Sequence, residues 1–172
     1  MSMNRYRVIR YVGYALELLV VFVLQETPGL IPAVGGARPV LLLPAAVSVA
    51  LFEGETPAML FGMAGGLLID FGCGGILGFH GLMLAAACYI ISLIAANLMR
   101  TNFLTAMLVG VLSAGAAALL QWIFFYVLFG YGDAGYALYA HYLPVFCYTA
   151  AVMPIAYYFN RAIALRVRAK EE

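Results

Sequence analysis

Apolar residues fill the chain in six runs, separated by short segments rich in glycine, proline or charge. The runs cover about 10–25, 39–52, 58–71, 81–98, 103–129 and 143–164. About 20 apolar residues in an α-helix cross a bilayer core. The pattern therefore predicts an all-α protein: a polytopic membrane helix bundle of six transmembrane helices, forming a single integral membrane domain over 1–172. The second run is the shortest, about 21 Å as a helix, so its span is marginal. Pro28, Gly29, Pro32, Gly35 and Gly36 mark the first loop. Glu53-Gly54-Glu55-Thr56-Pro57 reads as a tight polar turn, with Pro57 suited to the first turn of the next helix. Gly72, Gly74, Gly75 and Gly78 loosen the third connection, Arg100-Thr101-Asn102 makes the fourth, and 130–142 is a Gly/Tyr loop. In the last run Pro144 fits an opening turn and Pro154 a kink.

Composition narrows the class. The chain is 66% hydrophobic and 10% charged, against roughly 45–50% and about 25% in soluble domains. A soluble domain of this size leaves about a third of its chain surface in water. This excludes a cytosolic enzyme, a nucleic-acid binder and a disordered tail, and leaves no room for a globular domain outside the membrane. The net charge of +1 says little, but its placement says more. Arg5, Arg7, Arg10, Arg100, Arg161, Arg166, Arg168 and Lys170 fall on one side of a six-span topology, and only Arg38 falls on the other. By the positive-inside rule both termini are expected in the cytoplasm. The first run ends at Gln25-Glu26-Thr27-Pro28 without a small-residue cleavage site, so it is expected to stay as a helix. Tyr131, Tyr136, Tyr139 and Tyr142 fit an outer aromatic belt, and Tyr157, Tyr158 and Phe159 an inner one.

Little in the chain suggests covalent chemistry. His80 and His141 stand alone, and neither a metal-binding histidine pair, a nucleophile elbow nor a phosphate loop is present. Cys73, Cys88 and Cys147 have no paired spacing and read as small buried thiols. Neither a metal nor a cofactor is expected, and the protein reads as no enzyme. Glu53 and Glu55 are expected in a solvated turn or a protein contact. Two acids fall within apolar runs: Glu17 and Asp70. Ionisable groups in the membrane are costly and count as functional candidates. Glu17 shares a helix face with Gly13, Val21 and Gln25; Asp70 shares one with Ala58, Gly62 and Gly66. Gly110, Ala114 and Ala118 make a third stripe. Small residues four apart let helix backbones approach closely in lipid. The acids are therefore either a relay or partner contact, or buried carboxylates that fix the bundle.

The order of certain residues over 25–80 is more specific. Gln25 and Thr27 close the first run, and Pro39 opens Pro39-Val40-Leu41-Leu42-Leu43. Ala50-Leu51-Phe52-Glu53-Gly54-Glu55 follows, then Gly62, Gly65, Gly66-Leu67-Leu68-Ile69-Asp70 and Gly78. This order resembles the rod shape-determining protein MreD family, with departures at Val40 and in the Gly72–Gly75 cluster. The resemblance implies a non-enzymatic subunit of the cell-elongation machinery, in the bacterial cytoplasmic membrane. Its partners would be lipid, an MreC-like bitopic scaffold protein and, directly or through it, a SEDS glycosyltransferase and a class B penicillin-binding protein, coupled to the actin-like MreB filament. It also implies a fold similar to the S-components of energy-coupling-factor transporters. Gln25, Pro39, Gly62, Gly66 and Asp70 carry over as positions for helix packing or partner docking.

Two other functions compete. A substrate-binding S-component of a vitamin transporter needs an outward pocket with converging polar groups, for which Arg38, His80, His141 and Asp133 are candidates. Such subunits also tend to carry an Ala-x-x-x-Ala face on the first helix, whereas Ala15 here is followed by Leu19. An ion- or proton-coupled carrier would rest on Glu17 and Asp70 alone.

Overall fold

The computed structural model describes residues 5–33, 36–73, 76–97, 102–127 and 134–168. Gly35, Gly74, Gly75, Arg100, Thr101, Tyr131, Asp133 and Lys170, which entered the sequence reading, lie outside the described residues. The helices are α1 (Arg5–Glu26), α2 (Leu42–Phe52), α3 (Glu55–Cys73), α4 (Phe79–Asn97), α5 (Phe103–Trp122), α6 (Ala134–Ala137) and α7 (Leu143–Arg168). A π-helical turn, Ile123–Val127, extends α5, and a second, Leu138–Tyr142, joins α6 to α7 without a break. Among the described residues five helical stretches are long and apolar enough to cross a membrane, ending with Gly135–Arg166. The fold is an all-α bundle of a multi-pass membrane protein.

The second predicted span is the exception in length. Helix α2 has 11 residues, about 16 Å, roughly half of a 30 Å hydrocarbon core. Every residue of it except Phe52 is buried. A helix apolar on all sides belongs in an interior, and α2 runs along the bundle centre against α1, α3, α4, α5 and α7. A helix this short leaves terminal backbone groups of at least one end inside the membrane layer, where they must be satisfied by protein. At its start, the Leu42 N–H donates to Gln25 Oε1 at 3.3 Å, and the adjoining Val40 N–H donates to Thr149 Oγ1 at 3.1 Å. At its end, the Glu53 carbonyl accepts the Ser92 hydroxyl at 2.7 Å. The Glu53 carboxylate is buried and accepts from Arg10 Nη2 at 3.1 Å and from the Tyr14 hydroxyl at 3.2 Å, with Arg10 Nε beside it. Side chains of α1, α4 and α7 thus bracket α2 at both ends. Of the two expectations for Glu53, the protein contact holds: its side chain turns into the bundle toward Arg10 and Tyr14, while Gly54 beside it is exposed.

Around α2 the long helices pack through small residues. A Cβ on Gly62 would stand 2.6 Å from the Leu84 carbonyl oxygen and 2.8 Å from Cys88 Sγ. One on Gly66 would overlap the backbone of His80 and Gly81. These two glycines let α3 and α4 pack as a tight antiparallel hairpin. Gly110 of α5 receives the Met153 side chain of α7, and Gly13 of α1 lies against Ile163 of α7. The start of α1 and the end of α7 are therefore at the same end of the bundle. Outside this core, Leu82 is 77% and Leu104 75% exposed, faces that lipid covers without cost.

Some local expectations change. Residues 134–142 are helical rather than loop, because Ala134, Ala137, Leu138 and Ala140 favour a helix. Tyr157 is 1% exposed and packs in the core between Phe52 and Phe103 rather than at an interface. Of the three cysteines only Cys88 is buried; Cys73 and Cys147 lie on the outer surface, where lipid accepts a thiol as readily as a core does.

The ion pair at the end of α2 gives a direct test. Glu53→Gln breaks this buried ion pair by removing one of its two charges, which costs about 3–5 kcal/mol. The expected result is a marked drop in the unfolding midpoint in detergent. Replacing Arg10 and Glu53 together with methionine is expected to recover most of it.

Candidate functional site

The residues singled out in the sequence fall into two sets on different sides of α2. Gly62, Gly66 and Asp70 lie along the α3–α4 contact. Glu17, Gln25 and Pro39 lie along α1 and the entrance to α2.

Asp70 closes the first set. It is 2% exposed and ends the small-residue stripe of α3. Its Oδ2 accepts the Gly78 N–H at 2.9 Å and the Gly81 N–H at 3.2 Å. Its Oδ1 accepts the His80 N–H at 3.1 Å and the imidazole Nδ1–H at 2.7 Å. Two of these N–H groups belong to the first turn of α4, which has no intrahelical acceptors for them. Phe79 N–H donates to Ile76 O at 3.2 Å and Leu82 N–H to Gly78 O at 2.8 Å, so that first turn is fully satisfied. Gly78 supports the turn with φ +95°, a conformation that side-chain-bearing residues rarely adopt. A carboxylate against a helix N-terminus also gains from the helix dipole. With Nδ1–H held by Asp70, His80 Nε2 is an acceptor, and the Gln121 amide of α5 donates to it. The cluster clasps α3, α4 and α5, using both Asp70 oxygens and both imidazole nitrogens. Among the described residues no group of three or more His, Cys, Asp or Glu side chains is gathered as a metal site.

Glu17 belongs to the second set. It is 7% exposed, and its Oε1 accepts from Asn160 Nδ2 of α7 at 2.7 Å. Glu17 Oε2 and Asn160 Oδ1 are both buried with no hydrogen-bond partner. Further along the same face, Gln25 caps α2, and Pro39 is buried beside that cap. Between α1 and α7 runs a lateral groove of about 570 Å³, with Glu17 in its wall, Leu41 and Ala45 of the α2 segment along it, and Pro39 at its end. Nearly all the rest of its lining is aliphatic or aromatic.

Asn160, Gln121, Thr149 and the Arg10–Glu53 pair did not emerge from the sequence. A partial signal exists for the Asp70–His80 contact. An acid ending one apolar run and a histidine beginning the next, across a glycine-rich turn, face each other in any helical hairpin. The other partners are 41 to 143 residues apart, and no local pattern joins them.

Comparison with family models, with curated proteins and with solved structures gives no match.

Two substitutions test the clasp. Gly66→Leu places a side chain in the backbone of α4 and is expected to abolish the folded bundle, read as loss of a monodisperse peak in detergent. Asp70→Asn replaces one acceptor oxygen with a donor group and orphans two N–H groups of the α4 turn. A loss of about 1–3 kcal/mol in stability is expected. Retained function in Asp70→Asn would exclude a proton relay at that position.

Proposed function

We propose that the chain is a non-enzymatic membrane scaffold subunit of the bacterial cell-elongation complex, of the kind the MreD resemblance implies. On this reading it sits in the cytoplasmic membrane with both termini cytoplasmic. It binds an MreC-like bitopic protein and helps couple the MreB filament to the SEDS glycosyltransferase and class B penicillin-binding protein.

One observation carries the reading: the polar groups within the helix layer are directed inward and spent on holding helices together. Asp70 and His80 bind α3 to α4 and α5, Glu53 and Arg10 bind α2 to α1, and Glu17 and Asn160 bind α1 to α7. What faces outward is apolar helix surface and a lateral groove, which suits a molecule that acts by being bound. Arg5, Arg7, Arg161 and Arg166 belong to helix ends that meet at one end of the bundle, which favours that end for the cytoplasm. The transporter alternative asks for polar groups converging on an outer cavity. Three cavities of about 570, 260 and 270 Å³ are lined mostly by apolar side chains, with Glu17 in the first, and Arg38, His80 and His141 line none of the three.

The test is purification from native membranes in mild detergent. The expected result is a stoichiometric bitopic protein with a periplasmic coiled coil. Recovery with a pair of ATPases in its place would overturn the reading in favour of the transporter subunit.

A further inference from the structure

The contact between α1 and α7 holds a polar pair whose hydrogen bonding does not close if Glu17 is charged. Glu17 and Asn160 are both more than nine-tenths buried. Asn160 Nδ2 donates twice, to Glu17 Oε1 at 2.7 Å and to the Ala156 carbonyl at 3.0 Å, one turn back on α7. The second bond fixes which way the amide faces, because the reverse orientation would set Oδ1 against the Ala156 carbonyl, acceptor to acceptor. Asn160 Oδ1 therefore needs a donor of its own. It has none, and neither does Glu17 Oε2.

Among the described residues the neighbouring donors are engaged or turned away. Arg10 and the Tyr14 hydroxyl, on the same helix as Glu17, both donate to Glu53. Arg161, next to Asn160, is exposed. Ser48 Oγ is itself buried without a partner, so it bonds to neither atom. As a carboxylate, Glu17 would keep a charge within the helix layer on one hydrogen bond from an uncharged amide, which is costly. Two acceptors would also stay unmet. A single proton removes both defects. A carboxylic acid has one O–H donor and keeps an acceptor on its other oxygen. A primary amide offers the complementary acceptor and donor, so two such planar groups bond side by side through two hydrogen bonds.

We infer that Glu17 is a neutral carboxylic acid that accepts from Asn160 Nδ2 at Oε1 and donates from Oε2 to Asn160 Oδ1, making a proton a structural component of the α1–α7 contact. The proton is taken from water as α1 is buried, and no charge enters the bundle at this point. Both Glu17 oxygens are then occupied, so the residue is a latch between two helices and not a step in a relay. The lateral groove, whose wall Glu17 joins, carries no charge as a result. The inference is independent of the scaffold reading.

The experiment is infrared spectroscopy of the full chain in lipid bilayers at pH 7, with and without 13C at the glutamate side-chain carboxyl. The expected result is a carboxylic-acid C=O band, above the amide band in frequency, that shifts with the label and is missing from Glu17→Gln. In Asn160→Leu the same band is expected at higher frequency, because the acid has lost its hydrogen-bonded partner. Absence of any acid band that Glu17→Gln removes would overturn the inference, as would a band that Asn160→Leu leaves in place. Stability gives a second measurement. Gln presents an N–H donor and a carbonyl acceptor in the shape of the acid, so Glu17→Gln is expected to keep the unfolding midpoint in detergent. Glu17→Met has similar size without either hydrogen bond and leaves Asn160 unmet, and its midpoint is expected to fall by about 2–10 °C. A Gln variant whose midpoint departs from the wild type as far as that of the Met variant, in either direction, would overturn the inference.

Discussion

The structure depends on the fact that α2 is too short to cross a membrane. A helix about 16 Å long in a layer about 30 Å thick leaves at least one end where no water can satisfy it. The surrounding helices must therefore bring polar groups to it. Gln25 and Thr149 meet the backbone at its start; Ser92, Arg10 and Tyr14 meet Glu53 at its end. These contacts fix the height and rotation of α1, α4 and α7 relative to α2. Glycine then sets how closely they approach. Gly62 and Gly66 bring α3 against α4 closely enough for Asp70 to close the turn between them.

The same constraint explains what was legible in the sequence. The number of apolar runs, the punctuation between them and the basic chain ends report transfer into lipid, which depends on local composition. The Gly62–Gly66–Asp70 stripe was legible because helix periodicity places those residues on one face whatever they meet. The central position of α2 was not legible. Lipid and protein interior are equally apolar, so a segment such as Leu42–Leu51 reads alike in either. Its length was the one clue. Arg10 illustrates a second limit: near the start of an apolar run it reads as a topology signal, yet it is 4% exposed and paired 43 residues away. Glu17 and Asn160, 143 residues apart, show the same limit over most of the chain.

The candidate sites follow from this division of labour. Asp70 and His80 have their hydrogen-bonding capacity filled within the bundle, so that cluster is a clasp. Glu17 and Asn160 are the exception, since Glu17 Oε2 and Asn160 Oδ1 have no hydrogen-bond partner, and an apolar groove opens beside Glu17. A bundle that is rigid within and incomplete along one lateral face is suited to hold a membrane partner, which is the physical content of the proposed scaffold role.

The central claim is that α2 is an interior helix, closed at both ends by side chains from its neighbours. Hydrogen exchange of the protein in lipid nanodiscs, resolved by segment and combined with labelling by a lipid-phase carbene probe, tests it most directly. The account predicts that the amides of 42–53 are among the slowest to exchange while the segment takes up almost no carbene, in contrast to the labelled faces of α4 and α5. Ready carbene labelling of 42–53, or exchange there as fast as at the chain ends, would contradict it.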